Sequence, residues 1–305
     1  MDDVKHAGDP NCKLATFSWD LVDVCNYRCS YCSAEHFLKK QIDTTKLQSY
    51  KQVVKQLSLN RIPKFNVELL GGEPTLHPDL LEIVKGLNSI KNCLKIELVT
   101  NFSRSLDYYQ QFDVPECSKL QITPSYHPEY FKPSFIDKCV VIRDAKHITI
   151  CPNINLPDNE DYWAGTLELI NTLKTQSVLF GLNFLIPTKA GWSPAYTEKF
   201  FETFKSVITE NPKSVTYDIP YNINGKTTNL NEYDIQKHGL RFFKGFRCTP
   251  LMWYIKTDGR IVNHCTHTPM TPLGSNIDEQ VICDIETGCC CDIKYSYYKT
   301  RVGDA

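Results

Sequence analysis

Short β-like runs alternate with amphipathic stretches from Thr16 to about Leu185, and this alternation limits the possible folds more than any other feature of the 305 residues. Phe65–Leu70, Lys95–Thr100, Lys119–Ser125, Ile148–Ile154 and Val178–Leu185 are short, partly β-branched and end in polar or turn residues. Between them Leu47, Tyr50, Val53, Val54 and Leu57 recur at helical spacing, as do Leu80, Val84 and Leu87. Trp163, Leu167 and Ile170 repeat the pattern, followed by Phe200, Phe204, Val207 and Ile208. Such an order predicts an α/β fold in which parallel strands are joined by crossover helices and close fully or partly into a barrel. Ligand sites in these folds gather at the C-terminal ends of the strands.

The texture changes after about Asn211. Tyr217–Gly239 is polar with weak periodicity, and a cysteine-rich end follows. The expected organisation is an N-terminal extension over 1–15, a barrel over 16–210, and a linker with a small metal-supported appendage, hairpin plus tail, over 211–305. Thirty-four basic and thirty-five acidic residues leave a formal charge of −1 without a basic stripe, so no nucleic-acid partner is indicated. The charged start lacks the apolar core of a signal peptide, and no apolar run is long enough to span a bilayer. A soluble, cytoplasmic protein with no membrane partner is expected.

There are fourteen cysteines. Nothing directs export, so clustered cysteines point to metal rather than disulfides. Cys12, Cys93, Cys117, Cys139 and Cys151 are scattered and read first as small buried hydrophobes. Cys25, Cys29 and Cys32 follow an apparent strand, Thr16–Val22, with three residues between the first pair and two between the second. A loop of that length can turn three thiolates toward one point. Three protein ligands on a cubane cluster leave one iron open to chelate a cofactor and pass it an electron, whereas structural sites close their coordination. A zinc knuckle completed by His36, or reduced unliganded thiols, are the plainer readings.

Cys25-x3-Cys29-x2-Cys32, with Tyr31 before the last cysteine, resembles the signature of the radical S-adenosylmethionine (radical SAM) superfamily. Gly71-Gly72-Glu73-Pro74, ending the next strand, resembles that family's Gly-Gly-Glu-Pro motif. Two glycines let a charged ligand approach the backbone closely, and Glu73 suits an ammonium group, here the methionyl amine. Alone, the four residues would read as a β-turn with a solvated acid. Thr100 and Asn101 end one strand and Ser125 another, where relatives place polar groups around the cofactor's ribose and carboxylate. Each is also an ordinary strand-end polar residue. The resemblance implies a partial (β/α)6 TIM-like barrel, one [4Fe–4S] cluster, S-adenosyl-L-methionine and Tyr31 shielding the cluster. It further implies oxygen sensitivity, an external one-electron donor of flavodoxin or ferredoxin type, and a 5′-deoxyadenosyl radical that takes hydrogen from the substrate.

Toward the C-terminus, Trp253–Lys256, Asp258-Gly259 and Arg260–Asn263 read as a hairpin with an Asp-Gly turn that brings Cys248 and Cys265 to one end. With two ligands from Cys283, Cys289 and Cys291 they would close a four-thiolate site, while Cys290 would point away in an extended segment. This resembles the family's auxiliary-cluster extension, in twitch or SPASM form, and implies a second [4Fe–4S] cluster. A structural zinc is the alternative. Five residues separate Gly259 from Cys265 where the long form usually has four, so one auxiliary cluster is expected rather than two. Only twenty-four residues precede Cys25, which favours a small-molecule or amino-acid-type substrate over a peptide. Oxidation, epimerisation and rearrangement are all compatible, Cys151 being the candidate hydrogen donor for epimerisation. A peptide-modifying maturase is the alternative within the family. A non-enzymatic iron–sulfur carrier or zinc-supported binding module is the alternative outside it.

Overall fold

The computed structural model describes residues 14–32, 38–60, 62–185, 196–209, 243–263, 265–271, 274, 276 and 279–284, and the backbone of 4–6, 219–223, 226–230 and 299–301. After β1 (Val4–His6), the main sheet begins with β2 (Leu14–Val22), β3 (Lys64–Gly71), β4 (Cys93–Thr100) and β5 (Leu120–Tyr126). It continues with β6 (Thr149–Ile150), β7 (Asn153–Leu156) and β8 (Gly181–Phe184). The helices are α1 (Ser49–Leu59), α2 (Leu80–Asn88), α3 (Leu106–Gln110), α4 (Ser134–Arg143), α5 (Glu160–Thr175) and α6 (Glu198–Thr209). Each strand from β2 to β8 pairs in parallel with its neighbour. The fold is thus mixed α/β with a largely parallel sheet, consistent with a partial TIM-like barrel.

Burial alternates along these strands, and that sorts their side chains. Phe17, Trp19, Phe65, Val67, Ile96 and Leu98 are buried in the same core as Val53 and Leu57 of α1 and Ile83, Val84 and Leu87 of α2. Phe17 and Phe65 meet edge to face, centroids 5.5 Å apart. Every helical stripe singled out in the sequence supplies residues to this core. Phe200 and Phe204 of α6 pack on Trp163 of α5. Cys93, Cys117 and Cys139 are buried too, as small apolar residues would be.

Some boundaries differ from those expected. Ile148–Ile154 is two strands, β6 and β7, because Pro152 has no N–H to continue the ladder. Val178–Leu185 contracts to Gly181–Phe184, although Val178 and Phe180 are buried ahead of it. The larger correction concerns the hairpin of β12 (Met252–Ile255) and β13 (Ile261–Asn263). It forms as expected, Trp253 opposite Asn263 and Ile255 opposite Ile261, with Gly259 at φ +84° in the turn. It is not part of a detached appendage, however. β12 pairs in parallel with β2, Met252 beside Thr16 and Ile255 beside Trp19, and so covers the edge that the barrel strands leave open. Ser49 at the start of α1 donates to the Thr257 carbonyl, pinning the turn.

A second, antiparallel sheet contains β9 (Ile219–Ile223) and β10 (Lys226–Leu230) from within the polar stretch. It also takes in β1, β11 (Phe246–Cys248), β14 (Val281–Ile282) and β15 (Lys299–Arg301). The N-terminal extension therefore pairs with strands from the far end of the chain. No helix among the described residues is long and apolar enough to cross a membrane.

Candidate metal centre

Cys25, Cys29 and Cys32 lie on the loop that leaves the C-terminal end of β2. The loop closes a turn through Cys32 N donating to Cys29 O at 3.1 Å. Its far side is tied back where Lys39 N donates to Asp23 O and the two side chains form an ion pair, both contacts at 2.6 Å.

What seats this loop is the glycine turn after β3. Gly72 N donates to Val22 O and Glu73 N to Val24 O, each at 2.8 Å. A Cβ on Gly71 would lie 2.4 Å from Val22 O, and one on Gly72 2.2 Å from Val24 O and 2.8 Å from Cys25 N. Gly71 also holds φ +127°, which L side chains rarely adopt. The two glycines are therefore required by the close approach of the cysteine loop itself.

Glu73 ends the same turn. Its side chain is 1% exposed. Oε1 accepts from Thr75 N (3.0 Å), Thr75 Oγ1 (2.6 Å) and Thr100 Oγ1 (2.7 Å), and Oε2 accepts from Asn101 N (2.7 Å). Burial raises its pKa, and these donors oppose the rise. The carboxylate buckles the ends of β3 and β4 together. Thr100 takes part in that buckle and is itself buried. Pro74, also buried, opens the 3-10 turn Pro74–Leu76, where its missing N–H costs nothing. Asn101 does face the loop: Nδ2 donates to Asn26 Oδ1 at 2.7 Å and lies 3.8 Å from Cys25 Sγ.

A second strand end moulds the loop from the other side, and sequence reasoning missed it. After β5, His127 Nδ1 lies 3.3 Å from Cys29 Sγ and 3.2 Å from the Tyr31 hydroxyl, its ring parallel to that of Tyr31. Glu129 accepts from both the amide and the hydroxyl of Ser30. Tyr130 accepts from Arg28 N at 2.9 Å and stacks on Tyr27 with centroids 4.1 Å apart. His127-Pro-Glu-Tyr130 stood at an expected strand end, but no spacing rule ties it to cysteines some hundred residues earlier. Ser125 is half-buried one turn below, in register with Asn153. Cys151 directly follows β6, between it and β7, with its amide bonded to Ile122 O.

Burial lifts the Cys25 thiol above its ordinary range, and lifts Cys29 to about 12 with help from Glu129. Cys32 adds to both shifts, so the three sulfurs lie close enough to repel as thiolates. Among the described residues, though, no three His, Cys, Asp or Glu side chains already converge as a metal cage. The donor set nonetheless suits a soft, cationic iron–sulfur group, whose charge would reverse these thiol shifts. Burial drives His127 down to about 4, so the imidazole beside Cys29 is neutral.

Of the second cysteine group, Cys248 ends β11 and is buried, and Cys283 N donates to Phe246 O of that strand at 2.8 Å. Cys265 follows β13, its amide held by Asn263 Oδ1. Cys248 and Cys265 flank the open end of the hairpin. His36, Cys12, Cys289, Cys290 and Cys291 lie outside the described residues.

A cysteine loop seated on a Gly-Gly-Glu turn, at the C-terminal edge of a largely parallel sheet, defines a class of α/β protein built to present thiolates. Residues 20–116 match the family model of the Radical SAM superfamily. A GTP 3′,8-cyclase of Actinobacillus pleuropneumoniae serotype 3 (strain JL03) is 30% identical over 104 residues, covering 32% of this chain and 29% of that protein. The GTP 3′,8-cyclase of Listeria welshimeri is 33% identical over 86 residues, 27% of this chain and 24% of the relative. The chain thus spans less than a third of these curated relatives. Two solved structures share the fold over 86% of the chain. Native anSMEcpe with bound AdoMet has TM-score 0.55 at 14% identity, with 78% of that chain covered. SuiB of Streptococcus suis bound to S-adenosylmethionine has TM-score 0.54 at 12% identity, with 64% covered. Over residues 20–116 the chain is thus similar to the Radical SAM superfamily, and the two solved structures share its fold.

Proposed function

We propose that this protein is a radical SAM enzyme. The observation that carries the reading is the three-thiol loop pressed onto the Gly71–Gly72 turn, with Asn101 and His127 facing its sulfurs. Cys25, Cys29 and Cys32 would hold a [4Fe–4S] cluster. When bound and reduced by an external flavodoxin- or ferredoxin-type donor, it supplies the electron that splits a carbon–sulfur bond of S-adenosyl-L-methionine into methionine and a 5′-deoxyadenosyl radical. The chain's own work is placement. Gly71 and Gly72 bring the loop within hydrogen-bonding range of β3. Glu73 and Thr100 hold Asn101 against it. Tyr31 and His127 stack beside Cys29 and exclude water, and Ser125 offers a half-exposed hydroxyl near the cofactor.

Cys248, Cys265 and Cys283 are the described candidates for a second, auxiliary [4Fe–4S] cluster of twitch or SPASM type, to be completed by Cys289 or Cys291. The substrate is a small molecule or amino-acid-type compound, from which the radical takes a hydrogen atom. SuiB, also solved with its precursor peptide SuiA, supports peptide modification as the second reading. Incubating anaerobically reduced protein with S-adenosyl-L-methionine should release 5′-deoxyadenosine, and Cys29→Ala should not. If wild type and variant behave alike, the assignment fails.

A further inference from the structure

The strand face turned away from the helices is mostly polar, with Leu70 and Val99 as apolar positions near the strand ends. On the first three barrel strands it carries Ser18, Asp20, Glu68, Lys95 and Glu97, alternating with the buried apolar residues of the core. Asn155 and Asn183 continue it on β7 and β8, joined by a 2.7 Å hydrogen bond. A face used only for packing would be apolar, and one open only to bulk water would not be internally bonded. Here Ser18 donates to Glu68 at 2.8 Å, Thr123 to Glu97 at 2.8 Å, and Lys95 pairs with Glu97 at 2.9 Å.

Two groups on this face are left over. Asp20 has no hydrogen-bond or ion-pair partner among the described residues, although it is largely enclosed. Four residues earlier on the same face of β2, Thr16 is 0% exposed and its Oγ1 has no partner. Buried hydroxyls almost always find one, so an orphan aimed into a polar enclosure marks a place where something else binds. The charges indicate its chemistry. Three carboxylates on this face meet two strand ammonium groups, of which Lys64 is exposed at the start of β3 and Lys95 is already committed to Glu97. Burial, then Asp23, push Asp20 up to about 6, the response of an acid that lacks its counter-charge. A triphosphate would be repelled here.

We propose that this face is the substrate-binding surface and that it takes a molecule bearing a protonated amine, paired with Asp20, whose other polar groups meet the two asparagines. The inference rests on the radical SAM reading, because Asp20 lies near the C-terminal end of β2, the end from which the cysteine loop leaves. The amine can belong to a free small molecule or to a peptide side chain, and the test separates the two. Full-length protein, anaerobic and without reductant, is titrated calorimetrically with D-glucosamine against D-glucose. Acetyl-Gly-Lys-Gly-amide is likewise compared with its norleucine counterpart, and GTP is titrated alone. In at least one pair the ammonium probe should bind tenfold or more tightly than its neutral partner, and the pair that responds identifies the source. Asp20→Asn should erase that ratio and Asp20→Glu should keep it. No preference in either pair, a preference that survives Asp20→Asn, or tightest binding by GTP would overturn the proposal. Binding is read without S-adenosyl-L-methionine turnover, so failure of the radical chemistry shows separately, as missing 5′-deoxyadenosine beside an intact amine preference.

Discussion

The two cysteine-bearing regions are built in opposite ways. The N-terminal trio sits on one short loop, and the ends of three neighbouring strands hold it: the Gly71–Glu73 turn below, Asn101 to one side and His127–Tyr130 to the other. The C-terminal group is spread across two sheets, with Cys248 opposite Val281 at one end of β11, Cys283 beside Phe246 at its other end, and Cys265 at the end of the hairpin attached to β2. A loop pre-shaped by backbone contacts loses little further entropy when it ligates, whereas ligands from separate elements depend on those elements docking. The difference teaches that the first site is a property of the barrel and the second a property of its assembly with the rest of the chain.

The comparison can be broken most sharply by metal counting. Cys29→Ala should lose about four of roughly eight irons, the content of one cubane of two, together with all 5′-deoxyadenosine formation. Cys248→Ala should lose a similar amount while cofactor cleavage stays measurable. If Cys248→Ala also abolished cleavage, the sites would not be independent.

Backbone substitutions come next. Gly72→Ala forces a Cβ to 2.2 Å from Val24 O, and its stability loss in urea melts should reach about 3 kcal/mol, the upper end of overpacking costs. In the other region Gly259→Ala meets the Ser49 side chain at 3.2 Å and Val53 at 3.4 Å, with the strain of φ +84°. A cost of about 1–2 kcal/mol is expected there. Equal losses would mean that the glycine turn is not the special seat described.

Glu73→Gln keeps the shape but turns an amide N–H toward a donor, since the carboxylate accepts at both oxygens. Unfolding should show a loss of about 2 kcal/mol, in the range for an unsatisfied buried group. Rescue of iron loading in this variant by high iron and sulfide would confirm that Glu73 buckles the loop rather than ligating.

The smallest effect is a pH dependence. Asp20 must be ionised to hold an ammonium group, and its pKa is raised to about 6, by burial first and by Asp23 second. Amine affinity should therefore be full above neutrality and fall about tenfold between pH 7 and pH 5, since ionisation falls tenfold per unit below the pKa. An unperturbed aspartate would show almost no change over that range, and so would an amine bound elsewhere.

Much of this was legible beforehand, for local reasons. The helical stripes and most strand runs declared themselves because each element buries one face, and periodicity records which. The Asp258-Gly259 turn was legible because few residues tolerate a positive φ. Glu73 was found but its partners were not: a motif identifies the residue, while Thr75, Thr100 and Asn101 come together only when β3 and β4 pair. His127 and Glu129 were passed over because their contact with the cysteine loop spans 98 and 99 positions. Polarity on alternate strand residues was visible, but not that Asp20 and Thr16 would be enclosed without partners.

The sequence by itself determined the element types, the three-thiol loop and its glycine seat, because hydrophobic period, turn stereochemistry and cysteine spacing are properties of short segments. Tertiary structure alone decided that β12 extends the barrel sheet beside β2, that Glu73 faces inward, and that the β5 turn moulds the loop. The physical reason is that strand pairing is non-local: a sheet edge will accept any compatible strand, and which one closes it depends on how the whole chain packs.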